Sequence, residues 1–236
     1  GARRIVEILQ ELKVTNRLMK QSEITVECNP DSVRRKELRM LRKEGVNRLS
    51  IGAQSANDDI LRLIGRRHNW RQVEMAVKRA RKAGFRNVSL DLICGLPSQT
   101  REDWADTLTK ALALKPAHIS CYGLRLEEGT PMYDEYEGTD ILPSDDDQAD
   151  MYLYAVDFLS RHGFRQYEIS NFARPGYEGK HNLIYWDCGD YLGIGPAAHS
   201  CMGGKRFYYP ADTEAFLRDE AAHVMDGGCG AEDYLI

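Results

Sequence analysis

Five polar residues stand at or near the ends of short apolar runs: Glu27, Gln54, Asp91, Tyr122 and Glu168. Carboxylates accept hydrogen bonds from hydroxyl or ammonium groups, an amide can accept and donate, and a phenol does both. Any one of the five also fits as a helix cap or a satisfied core group. Five on successive runs point instead to one shared pocket. The cysteines carry a different message. Cys28, Cys94, Cys121, Cys188, Cys201 and Cys229 are scattered, with no C-x-x-C or other close pair. Zinc and iron–sulfur sites draw on clustered thiols, so these six are read as isolated small apolar side chains. No P-loop, dinucleotide fingerprint, G-x-S-x-G elbow or H-E-x-x-H pair is present. The glycines of Gly193-x-Gly195-Pro196 and Gly203-Gly204 open no helix and read as positions of close backbone packing.

The elements that must position these residues alternate. A helix is expected from Ala2 to Val14, then a strand over Ile24–Val26 that Pro30 stops, with Asp31 or Ser32 able to cap the next helix. Leu49–Ile51, Val88–Ile93, His118–Leu124 and Gln166–Ser170 read as four further strands. Helices are expected near 58–64, 71–83, 101–114 and 145–161, with Gly84 ending the second of these and a polar loop over 125–144. Five alternations of strand and helix predict an α/β protein with a parallel sheet, whose chemistry collects at the C-terminal strand ends.

Composition sets outer limits. The chain has 236 residues, 42% hydrophobic and 29% charged, the balance of an ordinary domain with a sizeable core. No apolar run approaches the roughly 18 residues that suggest a membrane span, and the first ten residues have no signal-peptide h-region, which reads as cytoplasmic. The net charge of −4 conceals a split: residues 1–90 hold 21 Lys and Arg against 10 Asp and Glu, and the remainder 11 against 26. The basic residues Arg34, Arg35, Lys36, Arg39, Arg42, Lys43, Lys78, Arg79, Arg81 and Lys82 fall in helical patterns, where solvated faces explain them without nucleic acid.

Seven strings, in order, resemble one family: Glu23–Pro30, Arg48–Ser55, Leu63–His68, Asp91–Thr100, Tyr167–Ala173, His181–Trp186 and Asp190–Ser200. They are similar to the oxygen-independent coproporphyrinogen oxidase-like radical SAM proteins, and within them to the HemW-type haem chaperones. The resemblance implies a partial (β/α)6 radical SAM barrel that lacks its first strand here, with an extra C-terminal segment. The five strands would be the second to sixth. Residues 1–175 would form the radical SAM core and residues 176–236 the HNxxYW segment and the start of a C-terminal region. The family's C-x-x-x-C-x-x-C ligands and its Gly-Gly-Gly-Thr-Pro segment are absent, so the chain is expected to begin after both and to stop before the family's C-terminal domain.

By the same resemblance Glu27, Gln54, Arg66 and Asp91 occupy positions that contact S-adenosylmethionine. Arg66 can fork onto the cofactor's carboxylate, and Glu27 or Asp91 can accept from its ammonium or ribose. Arg66 also fits as an ion pair on an exposed helix end. His181, Asn182, Tyr185 and Trp186 match the HNxxYW signature, where imidazole can ligate haem iron and the aromatic rings can face a porphyrin. His199 is a second candidate ligand, and both histidines also fit as packing residues. Ala56, Cys94 and Gly179 depart from the family pattern. The implied function is a chaperone that binds haem and S-adenosylmethionine and delivers haem to an acceptor protein. The alternative is an oxidase-like enzyme that uses a 5′-deoxyadenosyl radical. A [4Fe-4S] cluster is expected of the full-length protein only, and without the clustered thiols the chain as it stands is expected to be inactive.

Overall fold

The computed structural model describes residues 1–15, 19 and 21–228, which form two compact units, Gly1–Glu178 and the segment from Gly179 onward. Cys229 and the chain end at 233–236 lie outside the described residues.

The first unit runs α1 (Ala2–Val14), β1 (Thr25–Cys28), a 3-10 turn (Pro30–Ser32), α2 (Arg35–Lys43), β2 (Arg48–Gln54), α3 (Asp58–Leu63), α4 (Trp70–Lys82) and β3 (Asn87–Cys94). It continues with α5 (Arg101–Ala113), β4 (His118–Gly123), α6 (Pro131–Tyr136), α7 (Asp145–Arg161), β5 (Arg165–Gln166) and β6 (Asn171–Ala173). The sheet order is β1-β2-β3-β4-β6-β5, with β1 to β4 parallel. This is the α/β architecture the alternation predicts, and several of its helices start where side chains satisfy free N–H groups. Asn69 and Thr100 form capping boxes with Gln72 and Asp103, and Ser144 accepts from Asp147 N–H.

Three local expectations change. Neither Asp31 nor Ser32 caps α2: both lie in the 3-10 turn, and Arg34 takes the cap position without a side-chain bond. The loop over 125–144 contains α6, started by Pro131 at its first position and capped by Thr130. In place of one strand over 166–170 there are two short ones, β5 and β6, and β6 runs antiparallel to β4 and to β5. Burial explains that shift: Ile169 is 61% exposed, whereas Phe172 is 1% exposed and joins the core.

Register decides which residues share a face, because side chains alternate sides along each strand. Glu27 pairs with Ser50, Ser50 with Ser89, and Ser89 with His118; Asp91 pairs with Gly52 and Ser120, and Ser120 with Asn171. One face of the sheet is therefore polar. The other carries Val26, Leu49, Ile51, Val88, Leu90, Leu92, Ile119 and Phe172, packed against Leu38 and Leu41 of α2, Val73 and Val77 of α4, Trp104 and Leu108 of α5, and Met151 and Leu159 of α7. Trp104 is fully buried and its Nε1–H donates to the Met151 carbonyl at 2.7 Å, which locks α5 to α7.

The second unit holds α8 (Lys180–Trp186), β7 (His199–Met202), β8 (Lys205–Tyr208), α9 (Thr213–Leu217) and β9 (Val224–Gly228). Its three strands form an antiparallel sheet in the order β7-β8-β9. A Cβ at Gly193 would collide with the His199 carbonyl, so this glycine serves close backbone packing, as its string suggests. Cys28, Cys94, Cys121 and Cys188 are free thiols, as scattered cysteines should be, but Cys201 on β7 is disulfide-bonded, a pairing that sequence spacing does not reveal. No described helix is long and apolar enough to cross a membrane.

Candidate functional site

A cavity of about 380 Å³ opens beside the ends of β1, β2 and β3, and Glu27, Gln54, Arg66 and Asp91 all line it, with Asn29, Ser50 and Gly52 between them. Four segments far apart in the chain thus deliver the four residues to one place.

Each arrives by a local device. Glu27 is exposed near the end of β1, just before Pro30 turns the chain. Gln54 ends β2 after a bulge between Gly52 and Gln54, and takes φ +63, a conformation that side chains other than glycine adopt at a cost. Its amide folds back over Gly52, whose missing Cβ makes the room: one built there would lie 2.8 Å from Gln54 Nε2. Buried His68, whose Nε2 lies 3.3 Å from the Ala53 carbonyl, holds this strand end from behind.

Arg66 follows α3 through a Schellman turn. Gly65 at φ +70 donates to the Arg62 carbonyl at 3.0 Å, and Arg66 N–H donates to Leu61 at 2.8 Å. The turn leaves the guanidinium half-buried at the cavity, with no hydrogen bond or ion pair to any described residue. Among the described residues no carboxylate stands within ion-pair distance of Arg66.

Asp91 is the most elaborately held. Ser50 Oγ lies 2.8 Å from its Oδ1 and 2.9 Å from its Oδ2, Ser120 donates to Oδ1 at 3.0 Å, and Ser89 approaches Oδ1 at 3.4 Å. Burial raises the Asp91 pKa, while the Ser50 and Ser120 hydroxyls and the Arg48 charge pull it down. Burial likewise pushes Cys28, on the cavity wall, up to about 11, with Glu27 adding to the effect, so it is a neutral thiol at ordinary pH. Tyr122 lies on the same polar face, 42% exposed, its pKa raised first by burial and then by Asp91, Glu168 and Glu27. Glu168 accepts from Ser170 N–H at 3.2 Å through Oε2, while its buried Oε1 has no hydrogen-bond partner among the described residues.

The structure adds residues that the strand ends did not suggest: Ser50, Ser89, His118 and Ser120. Their signal is a period of two. Arg48-x-Ser50-x-Gly52, Asn87-x-Ser89-x-Asp91 and His118-x-Ser120-x-Tyr122 each place polar or small residues on one side of a strand. A hollow of about 350 Å³ between α5 and α7, lined by Trp104, Met151 and Tyr154, contains none of the expected residues.

In the second unit, His181, Asn182, Tyr185 and Trp186 share α8. His181 Nε2 lies 2.7 Å from the Tyr185 hydroxyl, the Tyr185 ring meets Tyr191 edge-on at 4.4 Å, and Trp186 is 45% exposed. His199 is the first residue of β7. It stacks on Tyr208 at 4.9 Å, with Nδ1 3.6 Å from Asp226, which leaves its Nε2 turned away from the carboxylate. A carboxylate behind Nδ1 is the usual support for a metal-ligating imidazole. Among the described residues no three His, Cys, Asp or Glu side chains come together as a metal-binding group, so they supply no ligand set for an iron–sulfur cluster.

Residues 2–111, just under half of the chain, match the radical SAM superfamily model. Within it the similarity runs to haem chaperones. The chain is 42% identical over 200 residues to the heme chaperone HemW of Bacillus subtilis strain 168, which covers 83% of this chain and 53% of that protein. It is 44% identical over 186 residues to HemW of Lactococcus lactis strain IL1403, covering 78% of this chain and 49% of that protein. The chain thus spans about half the length of these relatives. The crystallised coproporphyrinogen III oxidase HemN of Escherichia coli, a radical SAM enzyme, superposes with a TM-score of 0.81 over 95% of this chain and 56% of that one, at 24% identity, which shows the common fold.

Proposed function

We propose that this chain is the S-adenosylmethionine-binding core, over residues 1–175, of a HemW-type haem chaperone that passes haem to an acceptor protein, with residues 176–236 forming its haem-facing segment. The observation that carries the reading is the convergence of Glu27, Gln54, Arg66 and Asp91 on one cavity. Its groups complement the cofactor. The Arg66 guanidinium, without a partner among the described residues, offers a fork for the carboxylate, and the Glu27 and Asp91 carboxylates offer acceptors for the ammonium and ribose hydroxyls. The Gln54 amide, fixed by its bulge, offers both a donor and an acceptor.

S-adenosylmethionine bound beside a reduced [4Fe-4S] cluster would supply radical chemistry; the described residues do not form that cluster's ligand set. What this chain's own side chains do is bind and orient. Arg66 sets the amino-acid end, Asp91 presents a carboxylate already held by hydroxyl groups, and Cys28 remains a protonated bystander. For haem, His181 and His199 are the candidate ligands, with Tyr185 and Trp186 as flat apolar neighbours. Similarity to HemW over most of the chain favours the chaperone over the oxidase.

The test has two arms. Calorimetric titration of S-adenosylmethionine into the protein and its Arg66→Ala variant should show affinity weaker by about tenfold or more in the variant, the value of a charge-assisted hydrogen bond. Equal affinities would remove Arg66 from the site. Haem titration followed at the Soret band should fail in His181→Ala or in His199→Ala, and full binding by both would refute the haem assignment.

A further inference from the structure

We propose that His118 is a positioning residue for the cavity: through the Ser89 hydroxyl it directs a proton at Asp91 Oδ1 and so keeps Asp91 Oδ2 as the acceptor offered to a bound ligand. The proposal rests on the reading of the cavity as an S-adenosylmethionine site.

Two strands and one loop residue make the chain of contacts. His118 on β4 lies 2.8 Å from Ser89 Oγ through Nδ1 and 2.8 Å from the Tyr167 hydroxyl through Nε2. Ser89, on β3, reaches Asp91 Oδ1 at 3.4 Å. His118 and Ser89 are fully buried, so their polar atoms must satisfy one another.

With Asp91 ionised, two arrangements of the protons are possible. Burial and the Arg48 charge hold His118 neutral, its pKa lowered to about 3, so the ring carries a single N–H. With that hydrogen on Nε2, the ring donates to Tyr167, Ser89 donates to Nδ1, and Asp91 loses the Ser89 proton. With it on Nδ1, Tyr167 donates to Nε2, the ring donates to Ser89, and the Ser89 proton faces Asp91. Only the second arrangement points every donor toward the buried carboxylate, where the hydrogen bond is charge-assisted. Oδ1 then takes the Ser89 and Ser120 protons, and Oδ2 has at most the single proton of Ser50. The less occupied oxygen is the one available to a ribose hydroxyl or an ammonium group.

The experiment combines the tautomer with isosteric substitution. Nitrogen-15 NMR of the wild-type histidine ring should show His118 as the Nδ1–H tautomer; the Nε2–H form would overturn the proposal, and this reading depends on no variant. In His118→Asn the side-chain N–H lies where Nδ1–H was, whereas His118→Gln places it near Nε2. Calorimetric titration with S-adenosylmethionine should leave His118→Asn within about twofold of wild type and weaken His118→Gln by about tenfold, the scale of one lost hydrogen bond to a charged group. Equal affinities in the two variants, each confirmed folded by circular dichroism, would also overturn it. A wild-type protein that binds no S-adenosylmethionine would sink the proposed function, while the tautomer would still decide the placement of the Ser89 proton.

Discussion

Mild acid should destabilise this protein through His118. The side chain is fully buried among β2, β3, β4 and Tyr167, and burial first, then the Arg48 charge, lower its pKa from the ordinary 6.5 to about 3. In the unfolded chain the same imidazole takes a proton near pH 6.5. Between those two values the unfolded state binds one more proton than the native state. Stability is therefore complete above pH 6.5 and is lost as pH falls towards 3, at up to about 1.4 kcal/mol per pH unit. From pH 6.5 to pH 5 that amounts to about 2 kcal/mol, a large part of the 5–15 kcal/mol typical of a domain. His68, also lowered by burial, acts in the same direction, and Asp91, raised by burial, acts in the opposite one. Comparison with His118→Asn cancels both. Urea unfolding between pH 7 and pH 5 should show the wild type losing about 2 kcal/mol more than the variant. Parallel losses would mean that His118 is already protonated in the native state and would refute its burial as a neutral ring.

Other substitutions separate function from folding. Gln54→Gly relieves the φ +63 strain, about 1 kcal/mol, so the midpoint of denaturant unfolding should hold or rise while S-adenosylmethionine affinity falls in calorimetry. Trp104→Phe removes the 2.7 Å bond to the Met151 carbonyl and leaves that buried acceptor without a donor. Chemical denaturation should register a loss of about 2 kcal/mol. Thr100→Ala breaks the capping box of α5, in which Thr100 Oγ1 accepts from Asp103 N–H at 3.1 Å, and should cost about 1 kcal/mol in thermal unfolding.

Much of the fold is legible in the order and spacing of residue types. The helix over Ala2–Val14 and the helix over Asp145–Arg161 follow from apolar spacing and end signals, because those are local properties of a 3.6-residue repeat. The antiparallel β6 is not legible in the same way. Its residues Asn171–Ala173 are too few to show a period, and only the buried slot beside β4 selects them over the more apolar-looking run that contains the exposed Ile169. The turn that aims Arg66 lies between these cases: Gly65 after a helical run signals a C-cap, while the direction of the guanidinium depends on where α3 is docked.

The chemical types were determined by the sequence alone: carboxylates at Glu27 and Asp91, an amide at Gln54, a guanidinium at Arg66, and an order of motifs specific enough to point to the superfamily. Tertiary structure decided what those groups are worth. Parallel register brings Ser50, Ser89, Ser120 and His118 to the same side as Asp91, and burial sets the pKa values of Asp91 and His118. The cause is that strand periodicity specifies a side of each strand, whereas desolvation and cross-strand hydrogen bonds exist only once neighbouring strands are in place.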